Sequence, residues 1–176
     1  SGGPLQGQLG EAWVEVAGLA LGPARPAPPG RVLVWISLDT VRADRLSLYG
    51  APRPTTPNLE RRARQWVVFD DASAPASWTL PSMTSQFTSQ LPARHGATDA
   101  RRARQRRQPT VFEALWKEGF TVLGVSANRF VSPVFGLASG FDRIYVEETD
   151  ASAVTQQVLA SLDSWPGGDL ALFVHY

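Results

Sequence analysis

Short apolar runs separated by stretches of helical spacing dominate the chain. Residues 31–38, Arg31-Val32-Leu33-Val34-Trp35-Ile36-Ser37-Leu38, are nearly continuous in apolarity, the pattern of a central parallel strand covered on both faces. Residues 120–126, 141–146 and 169–176 read as further strands, and Val67-Val68-Phe69 as a short one. Helices are predicted between them. Thr56 and Pro57 supply an N-cap and a first helical residue for a helix to about residue 65. Pro81 opens a segment without further Pro or Gly up to residue 91, so a helix is expected to begin there. Thr110-Val111-Phe112-Glu113 is a capping box leading to Lys117, with Gly119 closing the helix. Thr149 caps a last helix through Val154, Val158, Leu159 and Leu162. Alternating strands and helices predict an α/β fold with a largely parallel sheet.

Upstream, Ala12-Trp13-Val14-Glu15-Val16 reads as a strand, and residues 23–30 form a Pro-rich, extended linker. That strand is either an edge strand of the main body or the last strand of a preceding domain. The division expected is an N-terminal extension and linker over residues 1–30 and the α/β body over residues 31–176. The final strand is expected to need a companion polypeptide, because no crossover helix follows it to cover its face.

Composition narrows the chemistry. With 176 residues, 43% of them hydrophobic and 19% charged, the chain can bury a core. It lacks cysteine, which excludes disulfides, thiolate metal sites and a cysteine nucleophile. No apolar run approaches a membrane span. Lys117 is the single lysine; the positive charge is otherwise arginine, concentrated in Arg101-Arg102-Ala103-Arg104-Gln105-Arg106-Arg107. With no aromatic residue interleaved, that run reads as a solvated basic loop rather than a nucleic-acid site.

Two residues stand where chemistry is expected. Asp39 follows the first apolar strand, at the strand edge where open α/β sheets bind ligands; the alternative is that it caps the next turn. Thr79 precedes Pro81 by two residues, which puts its hydroxyl at the positive end of a helix dipole, suited to an anionic ester; the alternative is an ordinary N-cap. His95 and His175 are the only histidines, and their spacing alone makes no metal signature.

Several ordered motifs resemble the sulfatases of the alkaline phosphatase-like superfamily. They are Ile36-Ser37-Leu38-Asp39-Thr40-Val41-Arg42-Ala43-Asp44-Arg45-Leu46, Tyr49-Gly50, Thr55-Thr56-Pro57-Asn58-Leu59, Ala76-Ser77-Trp78-Thr79-Leu80-Pro81-Ser82 and Leu91-Pro92-Ala93-Arg94-His95-Gly96. Gly119-Phe120, Gly140-Phe141-Asp142 and Phe173-Val174-His175-Tyr176 extend the likeness to the end of the chain. The resemblance implies a three-layer sandwich around a largely parallel sheet, of which residues 31–176 are the N-terminal part of the catalytic domain. It implies a metal-dependent hydrolase or transferase of sulfate or phosphate esters, with Thr79 as nucleophile and Asp39 and Thr79 on a divalent calcium, zinc or manganese ion. Asn128 falls near a lysine that contacts substrate in classical sulfatases. Formylglycine cannot form at Thr79, since it is made from Cys or Ser. Met83 stands at the position of a supporting arginine, Thr40 replaces a second carboxylate, and Lys117 lies in a helix. Threonine is the nucleophile in the related phosphodiesterases and phosphoethanolamine transferases. The departures leave a second reading, a catalytically degraded sulfatase-like binding protein. The resemblance also implies a periplasmic or secreted protein whose remaining metal ligands lie on further polypeptide.

Overall fold

In the computed structural model, which describes residues 5–9, 12–16, 30–100 and 108–176, the upstream strand is one arm of an antiparallel pair. Strand β1 (Leu5–Leu9) lies against β2 (Ala12–Val16), with Leu9 opposite Ala12. This pair is a sheet separate from the main one, so β2 is not an edge strand of the body. The Pro-rich stretch 23–29 and the arginine run 101–107 lie outside the described residues.

Four of the apolar runs form one all-parallel sheet. They are β3 (Val32–Ser37), β4 (Thr121–Ser126), β5 (Arg143–Val146) and β6 (Leu170–His175), in the order β3-β6-β4-β5. The centre of the sheet is therefore β6, buried along its whole length. Its residues alternate between two cores, as a period-2 strand must. Ala171 and Phe173 join Val122 on one face, with Leu80, Met83, Phe87 and Phe112 from the helices above. Leu170, Leu172 and Val174 join Leu123 and Val125 on the other, beneath Val154. Helices α2 (Thr79–Thr88) and α4 (Val111–Lys117) cover the first face, and α5 (Ala151–Asp163) the second. Two short helices, α1 (Pro57–Ala63) and α3 (Pro92–His95), lie in the connections. The result is helix, sheet, helix: the three-layer α/β arrangement that the alternation predicts.

Three expectations are corrected. The run 31–38 forms an edge strand, not a central one. Val32, Val34 and Ile36 are more than half exposed, because α5 packs over β4 and β6 rather than β3. Residues 67–69 make no strand; Val67 and Phe69 are exposed and paired to no sheet. The last helix is capped by Asp150 rather than Thr149, through a bond from the Ala153 N–H to the Asp150 carboxylate at 2.9 Å.

The local motifs have structural reasons. Thr110 and Glu113 make the predicted capping box. Gly140 has φ +91°, and a Cβ there would meet the Glu113 nitrogen at 2.2 Å, so only glycine lets the chain pass the start of α4. Two residues on, Asp142 accepts from the Val122 N–H (2.7 Å) and from the Trp116 indole (3.0 Å). Thr55 Oγ1 accepts from the Ser47 N–H (3.0 Å) and donates to the Arg45 carbonyl (2.7 Å), fastening the loop that leaves Asp39. Thr56 occupies the N-cap of α1 as expected, but its hydroxyl bonds Ser47 Oγ at 3.1 Å instead of the helix.

Candidate active site

Strand register brings the polar groups together. Ser37, His175 and Ser126 are direct neighbours across β3, β6 and β4, one row at the carboxyl ends of three parallel strands. The row belongs to the face that carries Phe173 and Val122, on which α2 sits. Two residues beyond Ser37 comes Asp39, and two beyond Ser126 comes Asn128, which by the same alternation return to that face. The Asp39 N–H bonds the Tyr176 carbonyl (2.9 Å) and the Ala127 N–H bonds the His175 carbonyl (2.9 Å), so the row is extended past the strands.

Thr79 enters from above. Trp78 is the N-cap of α2 and Thr79 its first residue, so the helix begins two residues earlier than Pro81 suggests. Pro81 takes the third helical position, where the backbone N–H would be unpaired anyway. Leu80, Met83 and Phe87 pin the helix to the core. Thr79 does not cap the helix. Its hydroxyl donates to Asp39 Oδ2 at 3.0 Å. Asn128 Nδ2 donates to the same oxygen at 2.9 Å and to Thr79 Oγ1 at 3.3 Å. The Phe130 N–H on Asn128 Oδ1 (2.9 Å) fixes the amide with its nitrogen toward Asp39. Asp39 thus spends its carboxylate on Thr79 and Asn128 rather than on the turn that follows it. Thr40, the next residue, has φ 53°, a left-handed conformation rare for a β-branched side chain.

Sequence reasoning named Asp39, Thr79 and Asn128, and the fold gathers all three. It left His175 and Ser126 unassigned, although both are 1% exposed and adjoin the cluster. His175 Nε2 lies 3.7 Å from Asp39 Oδ2, and Nδ1 lies 3.1 Å from Ser126 Oγ. Burial holds the His175 ring below the ordinary histidine range, with the Asp39 charge opposing that shift. His95 is elsewhere. It ends α3 and is buried against α2, accepting from the Ala97 N–H at Nδ1 (3.1 Å) and meeting Ser85 Oγ at Nε2 (2.9 Å). Met83, at the arginine position of the resemblance, is a core residue 3% exposed, with Ser37 Oγ 3.9 Å from its sulfur.

A hard divalent cation takes oxygen donors. Asp39 Oδ2 and Thr79 Oγ1 fit two positions of such a shell. Asn128 does not, because its fixed amide turns N–H groups toward the carboxylate. Among the described residues no three acidic, histidine or cysteine side chains form a metal cluster.

Comparison with known proteins agrees with this architecture. The family model described as Sulfatase matches residues 31–162. Arylsulfatase A of Bos taurus is 36% identical over 84 residues, 48% of this chain and 16% of that protein. The zinc complex of the C-terminal periplasmic domain of EcEptC from Escherichia coli superposes with a TM-score of 0.59 at 18% identity, over 89% of this chain and 47% of that one. Phosphonate monoester hydrolase of Agrobacterium radiobacter gives 0.61 at 15% identity, over 83% and 40%. At those identities the two structures speak for the fold alone. The chain spans about 16% of the length of the curated relative and less than half of either structure.

Proposed function

Since the chain belongs to the sulfatase family, we propose that it carries part of the active site of a hydrolase or transferase of sulfate or phosphate esters, with Thr79 as nucleophile. The observation that carries this reading is the Thr79 hydroxyl, held at the start of α2 with its proton directed to Asp39 Oδ2 at 3.0 Å. Thr79 Oγ attacks the sulfur or phosphorus, the ester oxygen leaves with its electron pair, and the hydroxyl proton passes to Asp39. Water or an alcohol then takes the group from Thr79. Asn128 Nδ2 and the first N–H groups of α2 are donors for the ester oxygens as charge builds on them. Asp39 and Thr79 are the residues that would hold a divalent cation; bound there, it would favour the alkoxide and neutralise ester oxygens.

On this reading the substrate is an anionic ester, and the compartment is periplasmic or extracellular, as the family resemblance implies. Among the described residues no helix is long and apolar enough to cross a membrane. The final strand β6 is covered on both faces with no helix following it, so the reason expected for a companion polypeptide fails there; the exposed Val32, Val34 and Ile36 of β3 support one carrying the rest of the domain instead.

Thr79→Ala in the full-length protein abolishes turnover of aryl sulfate and aryl phosphate esters while its melting temperature stays within a few degrees. Retained turnover would exclude Thr79 as nucleophile. A second reading, a sulfatase-like binding protein without catalysis, is favoured by Met83 lying in the core where an arginine would support the nucleophile. Elemental analysis separates the two: stoichiometric divalent metal, lost on Asp39→Ala, refutes the degraded site.

A further inference from the structure

Two bridges join the start of α2 to the turn after β4, and the proposed reaction uses only one of them. The polar bridge runs from Asn128 Nδ2 to Thr79 Oγ1 at 3.3 Å. One residue before Thr79 and two after Asn128, Trp78 meets Phe130 edge to face, with ring centroids 5.4 Å apart and planes at 81°. We infer that Trp78 and Phe130 form the subsite for the organic half of the ester and select a neutral, planar ring there, while Thr79 and Asn128 hold the anionic half. This inference rests on the reading of Thr79 and Asn128 given above.

Local structure does not ask for tryptophan at this position. A helix N-cap favours Ser, Thr, Asn or Asp, whose short side chains accept from the first turn. Trp78 occupies that position and makes no side-chain cap bond. The core does not require it either: Trp78 is 36% exposed, whereas Leu80, two residues on, is fully buried. A large apolar side chain that breaks the local rule and stays open to water beside a reacting hydroxyl is placed to cover the apolar surface of a ligand.

Phe130 is the fixed wall. It packs against the core to which Leu80 and Met83 belong, and Phe135 abuts it at 5.1 Å with planes at 61°. Its backbone N–H ties it to Asn128 Oδ1 at 2.9 Å. Rings at right angles make a corner rather than a closed stack, and among the described residues Trp78 has no second ring partner. A third ring entering the corner can lie against one ring and meet the other edge-on, the two arrangements that aromatic groups prefer. Spacing agrees. Thr79 and Trp78 are consecutive, so their Cα atoms are about 3.8 Å apart, and a ring joined through one ester oxygen to the group under attack is within reach of the indole. Charge narrows the class. Aromatic faces also attract cations, but the Arg129 guanidinium, 5.4 Å from the Phe130 ring centre, already takes that role.

The test uses phenylphosphonate and methylphosphonate, which carry the same anionic group without an ester bond, so that binding is read apart from turnover. Isothermal titration calorimetry of the full-length protein, at a pH where both are dianions, is expected to give roughly 10-fold tighter binding of the phenyl compound. Trp78→Ala should reduce that preference to about 2-fold or less, and Trp78→Phe should keep most of it. Phe130→Leu, which retains an apolar filler, should lower it as well. Equal binding of the two phosphonates by the wild type, or an undiminished preference in Trp78→Ala, would overturn the proposal. So would binding of neither, or of 2-aminoethylphosphonate more tightly than the phenyl compound. The reading underneath fails differently: turnover of aryl esters would survive Thr79→Ala, whatever the phosphonates do.

Discussion

Acid should destabilise this fold well before its carboxylates titrate, and His95 is the clearest place to measure it. The ring is 4% exposed, and its Nδ1 accepts the Ala97 N–H at 3.1 Å. An imidazolium has no lone pair to offer there, so protonation sets two N–H groups against each other beside Ala97, which is fully buried. Burial lowers the His95 pKa below its ordinary 6.5, against a smaller opposing contribution from the Pro81 carbonyl. The sign follows from proton counting. Below about pH 6.5 the unfolded chain binds a proton at this residue and the folded chain does not, so stability is full above that pH and is lost as pH falls. Each unit below 6.5 costs about 1.4 kcal/mol while the folded ring stays neutral. Between pH 7.5 and 5.5 His95 should therefore remove at most about 1.4 kcal/mol, and His175, lowered by burial as well, should act in the same direction. Urea unfolding at the two pH values measures the sum, and His95→Gln should reduce the difference. The exposed pairs Arg42–Asp44 and Arg31–Asp169 do not confuse the window, since their carboxylates are lowered from 3.8 and titrate in stronger acid. A pH dependence in His95→Gln equal to that of the wild type would refute the reasoning.

Gly140→Ala should cost about 2–4 kcal/mol in urea unfolding, combining a left-handed alanine with displacement of the α4 capping box. Asp142→Ala leaves the N–H of the fully buried Val122 without its 2.7 Å partner and should cost about 2–3 kcal/mol; Asp142→Asn, which keeps an acceptor, should cost less than half of that by the same assay. Thr40→Asn should stabilise by about 0.5–1 kcal/mol, because asparagine tolerates the left-handed backbone better than a β-branched residue does; an unchanged urea midpoint would show that φ 53° is not strained here.

The strands were legible because apolar runs of six or so residues, set between caps and glycines, leave few alternatives. Their order was not. An apolar run reports that both faces of a strand resist water, but the same run in residues 31–38 lies at the sheet edge, with Val32, Val34 and Ile36 open to solvent. Helix starts were legible to within a turn. Proline lacks an N–H, and the first three helical positions all have an unpaired one, so Pro81 marks the first turn of α2 without saying which residue leads it. Thr149 and Asp150 pose a similar ambiguity: both are capping residues, and only the backbone decides which carboxylate or hydroxyl reaches the Ala153 N–H. The site was half legible. Asp39 and Thr79 announce themselves by place, a strand end and a helix start. Ser126 and His175 look like the tails of apolar strands. What identifies them is alternation counted back from the loop: Asn128 and Ser126 share a face, and register then places His175 beside Ser126.

The charges at this site set the terms on which either functional reading can stand. Among the described residues three side chains meet the Asp39 carboxylate: the Thr79 hydroxyl, the Asn128 amide, and a His175 ring that burial keeps toward its neutral form. None of them cancels its charge. An anionic ester brought to within about 4 Å of that carboxylate meets a repulsion of about 1 kcal/mol in water and about 4 kcal/mol at a partly buried surface. The dipole of α2 opposes this by about 0.3–1 kcal/mol, not enough in the second case. Met83 supplies no charge where the family resemblance would place an arginine, and its 3% exposure leaves little room for solvent to do so. A cation on Asp39 and Thr79 reverses the sign of the field and makes the same pocket attractive to sulfate and phosphate. On the proposed catalytic reading, a metal held by Asp39 and Thr79 would therefore serve binding as well as chemistry. A metal-free site of this composition would instead select neutral or cationic ligands, so the charge of whatever binds beside Thr79 distinguishes the two readings independently of turnover.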